Sequence, residues 1–492
     1  MLKTVLVLCL TAVAATAAVI RVPSEQPTIQ AGLSAALAGD TVLVAPGTYV
    51  ERVVWPAVDG ITLASEKGAD STIISAADSG RVVTMNAIDF TTATRLSGFT
   101  LTRGSVGTYP GNGAGLWCRG APEIARNHIV DNQLTTMGYG GGVYAQGAPL
   151  FHDNLVAWDT IANEGGGGWR YGAGVYCTWS GVFYQNSFVE NAGLGGAGGF
   201  WYGGGLYLGG GTPVVFANLF LGNRMGTTTG GIAYGGGLYV DSADAYVVNN
   251  TFSANVCSTA ITYGGGICVQ RNWSAVVKNN ILAGNVCDGI GKNAGAIAGQ
   301  PDTLGDTLTV DYNDAWANSP NDYYGVRVGP HSLGLDPLFV TGSLGEYYLS
   351  QVVAGQPETS PCVDAGDTVM TAPVNVDSLL RAWTTRTDSV PDAGVLDLGY
   401  HYRATVLTGV SGPKRVALRA LYSGPSIVRG SLFLPPALLS AHCSLFDSNG
   451  RMVAELRPGT NEVSRLSPGV YFVRAAQAQA RAQAVAKVIL TR

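Results

Sequence analysis

Two short motifs recur together along the middle of this chain, and their spacing is the strongest constraint on its fold. The first places small residues ahead of an apolar pair and reads NGAGLWC, YGGGVYA, YGAGVYC, YGGGLYL, YGGGLYV and YGGGICV between residues 112 and 269. The second begins with asparagine, has an apolar residue two places on and ends with Asn or Asp, as in NSFVEN (186–191). The first motif recurs every 27 to 32 residues, and the second keeps step with it. Such a period predicts stacked units that bury their apolar faces only against one another.

The residues between the motifs decide which kind of array this is. No window between residues 104 and 300 has the 3.6-residue apolar period of a helix. Short runs such as GLYV and AYVVNNTF, separated by glycine and asparagine, are typical of strands of a few residues joined by tight turns. Leucine-rich and propeller arrays fit less well, because their signatures are missing. We therefore predict an all-β fold, a parallel β-helix in which successive coils pair about 4.8 Å apart.

Strand alternation assigns the residues of each coil to the inside or the outside. In the coil containing YGGGLYV, Leu238 and Val240 are predicted to face inward and Tyr239 outward. The glycines allow left-handed backbone at a crowded corner. The asparagine that opens the second motif is predicted to form a buried ladder, with each amide bonded to its neighbours in adjacent coils. The ladder residues are Asn127, Asn154, Asn186, Asn218, Asn250 and Asn280.

The cysteines offer one disulfide candidate. Cys257 and Cys287 follow the ladder asparagine at the same offset, so adjacent coils would bring them within disulfide reach. A pair of stacked buried thiols is an equally good interpretation. The seven cysteines outside the predicted signal peptide are odd in number and lack a C-x-x-C pair, which argues against a zinc site or a dense disulfide framework.

Asp364 and Asp367 could bind calcium, although they lack an EF-hand frame and a turn explains them as well.

The N-terminal residues predict export, and the C-terminal residues are basic whereas the rest of the chain is acidic. Residues 1–18 have one early lysine, an apolar run and a small-residue end, as expected of a secretory signal peptide cleaved near Ala17 or Ala18. No later segment is apolar for long enough to cross a membrane as a helix. Residues 411–492 hold 11 Lys and Arg against 3 Asp and Glu, whereas residues 1–410 hold 18 against 31. The acidic body would repel phosphates, which argues against a nucleic-acid partner, and we expect a secreted or outer-surface protein.

An N-terminal segment precedes the repeats. Thr28 is predicted to cap a short helix that carries Ile29, Leu33 and Leu37 and ends at Gly39. Strands such as TVLVAPGTYVE (41–51) follow. We predict that the helix covers the open end of the β-helix and protects its sheet edge.

The chain also resembles known families. VPSEQPTIQAGLSAALAGDTVLVAPGTYVE resembles the N-terminal cap of pectin-lyase-like, right-handed parallel β-helix proteins, and the GGGLY and FxxN elements are similar to repeats of polymorphic outer-membrane proteins. LDPLFV, SPCVDAGD and PDAGVLDLGYHY resemble the closing segment of secreted bacterial β-helix proteins. The implied domains are a signal peptide (1–18), a cap with the first coils (19–104), the repeats (105–300), a closing β-helix segment (301–405) and a C-terminal domain (406–492).

That C-terminal domain resembles the sorting domain of type IX secretion cargo, through CSLFDSNGRMVAEL, LSPGVYFVRA and AKVILTR. Its alternating strands and turn residues predict a small immunoglobulin-like β-sandwich. The resemblance implies that residues 413–492 engage the export machinery. A generic sandwich without a sorting role is the alternative.

An enzyme must be weighed, because pectin-lyase-like folds often carry polysaccharide lyases and glycoside hydrolases. Such chemistry on a uronate-type polysaccharide needs carboxylates held together on one face. The acids between 104 and 300 are scattered, and only Asp131 and Glu190 share a repeat position. The five histidines are isolated in sequence and are predicted to be structural. No catalytic residue is therefore assigned, and a binding, adhesive or envelope-structural role is favoured.

The better functional candidate is a surface rich in aromatic residues. One tyrosine precedes the glycine motif in each coil, and rings in a row can stack on sugar faces. The alternative is a tyrosine stack that only stabilises neighbouring coils. The candidate carbohydrate-binding residues are Tyr139, Trp169, Tyr171, Trp201, Tyr202, Tyr234 and Tyr263. The partners expected from this surface are glycans or other envelope components.

Overall fold

The fold was analysed in a computed structural model of the 492-residue chain. It describes residues 17–163, 167–196, 198–226, 230–270, 275–300, 308–367 and 376–404. Beyond residue 404 it describes strands and short segments between 426 and 491. Nearly all of the predicted signal peptide lies outside the described residues.

The main body is a parallel β-helix whose coils contribute to five sheets, numbered here in the order in which the chain visits them. Sheets 1 and 2 follow each other along each coil. Sheet 1 has 11 strands: Val19–Val22, Thr41–Val44, Thr62–Ser65, Arg95–Ser97, Glu123–Ala125, Leu150–His152, Val182–Tyr184, Val214–Phe216, Tyr246–Val248, Val276–Lys278 and Thr309–Asp311. Sheet 2 has ten: Gly47–Val50, Thr72–Ser75, Thr100–Thr102, His128–Val130, Leu155–Ala157, Ser187–Val189, Leu219–Leu221, Thr251–Ser253, Ile281–Ala283 and Asp314–Trp316.

The remaining three sheets complete the coil. Sheet 3 has seven strands: Ser105–Val106, Gln133–Leu134, Thr160–Asn163, Ala192–Gly195, Arg224–Met225, Val256–Ser258 and Val286–Asp288. Sheet 4 also has seven: Gly111–Asn112, Gly138–Tyr139, Gly168–Tyr171, Gly199–Tyr202, Ile232–Tyr234, Ile261–Tyr263 and Gly291–Asn293. Sheet 5 has ten: Val53–Val54, Val83–Met85, Leu116–Gly120, Val143–Gly147, Val175–Thr178, Leu206–Gly209, Leu238–Asp241, Ile267–Gln270, Ile297–Gln300 and Tyr323–Tyr324.

Two separate cores run along the body. Sheets 1, 2 and 5 enclose the larger one, which contains Leu238 and Val240 together with the stacked rings of Phe188, Phe220 and Phe252. The prediction that Leu238 and Val240 face inward is confirmed. Sheets 3 and 4 enclose a second, smaller core. We call this pair of sheets the arm, because the coils from Ser105 onward leave the body along sheet 3 and return along sheet 4.

The glycine motif lies where the arm returns to the body. Gly235 has φ +61°, and a Cβ there would lie 2.2 Å from the carbonyl oxygen of Leu238. A Cβ on Gly237 would lie 2.7 Å from the oxygen of Gly266 in the next coil. The glycines are therefore needed both for a left-handed turn and for close backbone contact between coils.

Two asparagine ladders, not one, run through the body. In the first, the Nδ2 of Asn218 donates to Asn250 Oδ1 at 3.0 Å, and the Oδ1 of Asn218 accepts from the backbone N–H of Asn186 at 3.0 Å. All six predicted ladder residues are bonded in this way, from Asn127 to Asn280, and the ladder continues to Asn313. The second ladder starts five residues further along each coil and contains Asn132, Asp159, Asn191, Asn223, Asn255, Asn285 and Asn318.

A short helix, Ile29–Ala35, lies near the first coils. The Thr28 side chain accepts the N–H of Ala31 and so caps its start, as predicted. The helix ends earlier than expected, because the chain turns to extended backbone at Ala36. Leu37 consequently lies outside the helix and is exposed, which corrects its predicted place on the apolar face. A role for the helix as a lid stays a prediction.

Within the predicted closing segment (301–405), the described residues 339–367 and 376–403 do not continue the coils. After a last coil that ends at Tyr323–Tyr324, they fold back along the outer faces of sheets 1 and 2, where Trp383 and Tyr402 cluster with Phe216 and Val248. They contain the strand pairs Phe339–Val340 with Tyr348–Leu349 and Trp383–Thr384 with Tyr402–Arg403, the 3-10 helix Val352–Ala354 and the helix Val376–Arg381. These residues lack the repeat motifs and cover an apolar outer surface.

In the C-terminal part, the described residues form seven strands. Five form one sheet, in the order Ser426–Arg429, Ala484–Thr491, Gly469–Ala476, His442–Asp447 and Met452–Leu456. Ser431–Leu434 pairs with Gly459–Glu462. The immunoglobulin-like sandwich and its sorting role stay predictions. Among the residues that the structure describes, no helix has the length and apolar character needed to cross a membrane.

Candidate binding surface

A continuous row of tyrosines lies on the outer face of sheet 4. Tyr139, Tyr171, Tyr202, Tyr234 and Tyr263 occupy equivalent positions in successive coils. Neighbouring rings stack almost parallel, with centroids 4.8–5.1 Å apart and interplanar angles of 3–9°. The row runs along the axis of the solenoid, because each coil adds one ring.

A second row lies beside it on the same face. Trp169, Phe200, Ile232 and Ile261 are in register with one another, two residues before the tyrosines. Trp169 is 50% exposed and Ile261 38% exposed. The outer face of sheet 4 is therefore an apolar surface that no described residue covers completely.

The outer face of sheet 5 supplies a third row, consisting of Trp117, Tyr144, Tyr176, Tyr207 and Tyr239. Its rings contact the tyrosines of sheet 4 edge-on or tilted, for example Tyr171 with Tyr207 at 5.2 Å and 80°. Side chains that leave two different sheets can meet only where the sheets form a concave corner. We call this corner, lined by the three rows, the aromatic groove.

The hydroxyl groups of the groove are hydrogen-bond donors. Tyr207 Oη donates to Asp241 Oδ2 at 2.9 Å, and Tyr239 Oη to Gln270 Oε1 at 2.7 Å. Burial raises the pKa of Tyr144, Tyr176, Tyr207 and Tyr239 above the ordinary value, so these phenols remain protonated at neutral pH. The groove thus combines an apolar floor with a polar edge.

The structure separates the predicted carbohydrate-binding residues into two groups. Tyr139, Tyr171, Tyr202 and Tyr263 are partly exposed in the groove, and Trp169 lies beside them. Tyr234 belongs to the same row but is only 9% exposed. Its ring faces are covered by the rings of Tyr202 and Tyr263.

Trp201 must be removed from that set. It points into the arm, is fully buried and lies against the guanidinium of Arg170, whose Cζ is 5.2 Å from the ring centroid. Strand alternation explains this position, because Trp201 immediately precedes the outward-facing Tyr202. The third row and the apolar positions Phe200, Ile232 and Ile261 were not predicted from the sequence. Their signal was present, since each recurs at a fixed offset from the glycine motif.

The two acids that share a repeat position do not form a pair. Trp158 occupies the position between Asp131 and Glu190, and all three have left-handed backbone just before a second-ladder residue. The indole of Trp158 donates to Glu190 Oε2 at 3.1 Å. Burial raises the pKa of Glu190 to about 7.

Several histidines are less isolated than predicted. His331 contacts Asp311 at 2.9 Å, and the buried His401 contacts Asp392 at 2.8 Å. His152 Nδ1 lies 2.7 Å from Asp153 Oδ2, and its Nε2 lies 3.4 Å from Glu123 Oε1. The imidazole thus fills the space between these two carboxylates. Arg403 of the closing segment contacts Asp153 at 2.7 Å, so this cluster fastens the closing segment to the body.

The candidate disulfide and calcium residues have other contacts. Cys257 and Cys287 face each other in register on adjacent coils, are buried in the arm and are free thiols. Asp367 forms an ion pair with Lys278 at 2.7 Å. The backbone N–H of Asp364 donates to Asp397 Oδ1. Within the described ranges, no group of three His, Cys, Asp or Glu side chains is placed to hold a metal ion.

Comparison with known proteins supports the architecture. A family model described as the right handed beta helix region matches residues 112–300. The match covers both motifs and the aromatic groove, and it confirms the prediction of a right-handed parallel β-helix. No curated protein matches the chain.

Proposed function

We propose that this β-helix protein is exported to the outer cell surface and binds an extended glycan along the aromatic groove without catalysing a reaction on it. The observation that carries the proposal is the groove itself. Sugars present an apolar face and a rim of hydroxyl groups, which suits aromatic side chains that have polar tips. A row that repeats once per coil fits a repeating linear ligand.

The stacking of the tyrosines limits how they contact such a ligand. Within the row, each ring covers the face of the next, so the row presents mainly ring edges and hydroxyl groups. The exposed rings beside it, above all Trp169, offer apolar area to a sugar face. The tyrosine row therefore both stabilises neighbouring coils and forms the floor of the groove, so the two interpretations of the sequence pattern are compatible.

The alternative is a carbohydrate-active enzyme acting on uronate-type polysaccharides. The arrangement of the acids favours the non-catalytic function. Trp158 lies between the positions of Asp131 and Glu190, and His152 fills the space between Glu123 and Asp153. In the described part of the chain, we find these carboxylates separated by side chains rather than placed to hold a sugar between them.

Replacing Trp169 by alanine is expected to weaken glycan binding about tenfold, equivalent to about 1.4 kcal/mol. An exposed aromatic contact contributes roughly this amount. Trp179→Ala is the matched control, because Trp179 is also exposed (63%) but lies past the outer edge of sheet 5, outside the groove. Binding of the full chain to a glycan array, followed by calorimetry on the best ligand, measures both. Equal losses of glycan affinity in the two variants would contradict the groove as the binding site. Release of cleaved glycan products would contradict a non-catalytic role.

Export is tested separately. A chain that lacks residues 413–492 is expected to accumulate inside the producing cell instead of on its surface, because those residues resemble a sorting domain. Surface labelling with an antibody against the β-helix measures the displayed fraction, and the intact chain serves as control. If the truncated chain is displayed as well as the intact chain, the sorting role is contradicted, but the glycan-binding proposal is not affected.

A further inference from the structure

We infer that the ligand of the aromatic groove is an uncharged linear polysaccharide, not a uronate chain; this inference rests on the proposed function. The charge of the groove is the first argument. The two rows of sheet 4 contain only Tyr, Trp, Phe and Ile in the four coils from Trp169 to Tyr263. The row of sheet 5 beside them is equally uncharged, from Trp117 to Cys268.

The polar edge of the groove also argues for an uncharged ligand. The outermost row of sheet 5 contains Arg119, Gln146, Thr178, Gly209, Asp241 and Gln270. Its only charged member between Gln146 and Gln270 is the acidic Asp241. The cations Arg81 and Arg119 lie at one end, where Arg81 covers the ring of Trp117 at 4.8 Å.

A uronate chain carries one carboxylate per sugar, so several would enter the groove together. Burying a carboxylate beside aromatic rings without a cation is strongly unfavourable, because the charge loses its hydration and gains no partner. Asp241 and the acidic composition of residues 1–410 would add repulsion. The hydroxyl groups of a neutral sugar carry no such penalty. They can bond to the amide of Gln146 and to the carboxylate of Asp241, whereas Gln270 is buried and accepts from Tyr239.

The geometry also defines the shape of the ligand. Tyr139 and Tyr263 are joined by four steps of 4.8–5.1 Å along the axis. Each coil between them adds one ring to the same row, although Tyr234 and, in the row of sheet 5, Tyr207 and Tyr239 are almost fully buried. The groove therefore suits an internal stretch of a chain and not a single terminal sugar, and affinity is expected to rise with oligosaccharide length until the groove is filled.

The test uses the full chain and pairs of polymers that share a backbone and differ mainly in charge. One pair is polygalacturonate and its fully methyl-esterified form, and the other is carboxymethyl and hydroxyethyl cellulose. Affinity electrophoresis measures binding at low and high salt. We expect the neutral member of a bound pair to bind at least tenfold more tightly, with little effect of salt because no ion pairs form.

A variant sharpens the comparison. Gln146→Lys adds one cation to the polar edge and is expected to raise affinity for the anionic member of the pair, whereas Trp169→Ala lowers affinity for both members. Tight, salt-sensitive binding of the anionic polymers by the unmodified protein would overturn the inference and leave glycan binding standing. Failure of every polymer to bind a folded protein, checked by its circular dichroism and melting temperature, would overturn the proposed function as well.

Discussion

Replacing Asn218 by alanine is expected to lower the free energy of unfolding by about 4 kcal/mol. The Nδ2 of Asn218 donates to the carbonyl oxygens of Phe183 and Phe216 and to Asn250 Oδ1, and its Oδ1 accepts from both the backbone and the side chain of Asn186. Alanine would leave several of these buried groups without partners, at a cost of about 1–3 kcal/mol each. Urea unfolding followed by circular dichroism measures the loss.

The control is Asn86→Ala, because Asn86 belongs to the same solenoid but is exposed to water, which replaces its hydrogen bonds. We expect a change within about 0.5 kcal/mol for this variant. Similar losses in both variants would mean that the ladder contributes no more than any surface amide.

The sequence was sufficient to predict the stacked coils and the first ladder, because both depend on local rules. Alternation fixes that Leu238 faces inward, and a buried amide must find partners in the adjacent coils. The second ladder was visible as the Asn or Asp that ends the second motif. It was not assigned, because burial of Asn191 or Asn223 depends on where sheet 3 leaves the body.

The arm explains why the aromatic groove was predicted only in part. The sequence gives one tyrosine per coil, but no local rule says that Tyr202 and Tyr207 lie on two different sheets that meet at a concave corner. Trp201 was predicted to lie on the surface for the same reason, because the sequence does not show the arm. Its burial requires a second core between sheets 3 and 4, and that core exists only once whole coils are stacked.

The closing segment shows a different limit. Outward-facing positions such as Val182, Val214 and Val276 are apolar in the sequence, which indicates that something covers them. The covering residues lie far along the chain, as the contact of Arg403 with Asp153 shows. Periodicity describes neighbours one coil apart and carries no information about a non-repetitive segment that folds back over many coils.

Asp159→Asn is expected to stabilise the protein by about 1–3 kcal/mol at neutral pH. Asp159 occupies an asparagine position in the second ladder, where its Oδ1 accepts from the backbone and side chain of Asn132. Its Oδ2 is buried without a hydrogen-bond partner, whereas the Nδ2 of an asparagine would donate to Asn191 Oδ1, as Asn191 does to Asn223. Asp288, an exposed acid at the end of a strand of sheet 3, provides the control Asp288→Asn.

The pH dependence distinguishes this explanation from a general loss of negative charge. Burial raises the pKa of Asp159 well above the ordinary value of about 3.9, so the folded state keeps its proton when the unfolded chain has released it. The native protein is therefore penalised increasingly as the pH rises from about 4 through the folded pKa. The gain in stability from Asp159→Asn should be small near pH 4 and should grow towards neutral pH. Asn218→Asp places a carboxyl group in the first ladder, so the loss of stability in this variant should grow as the pH rises. Melting temperatures measured across this pH range test both variants, and a gain that is independent of pH would contradict a buried, unpaired carboxyl group as its source.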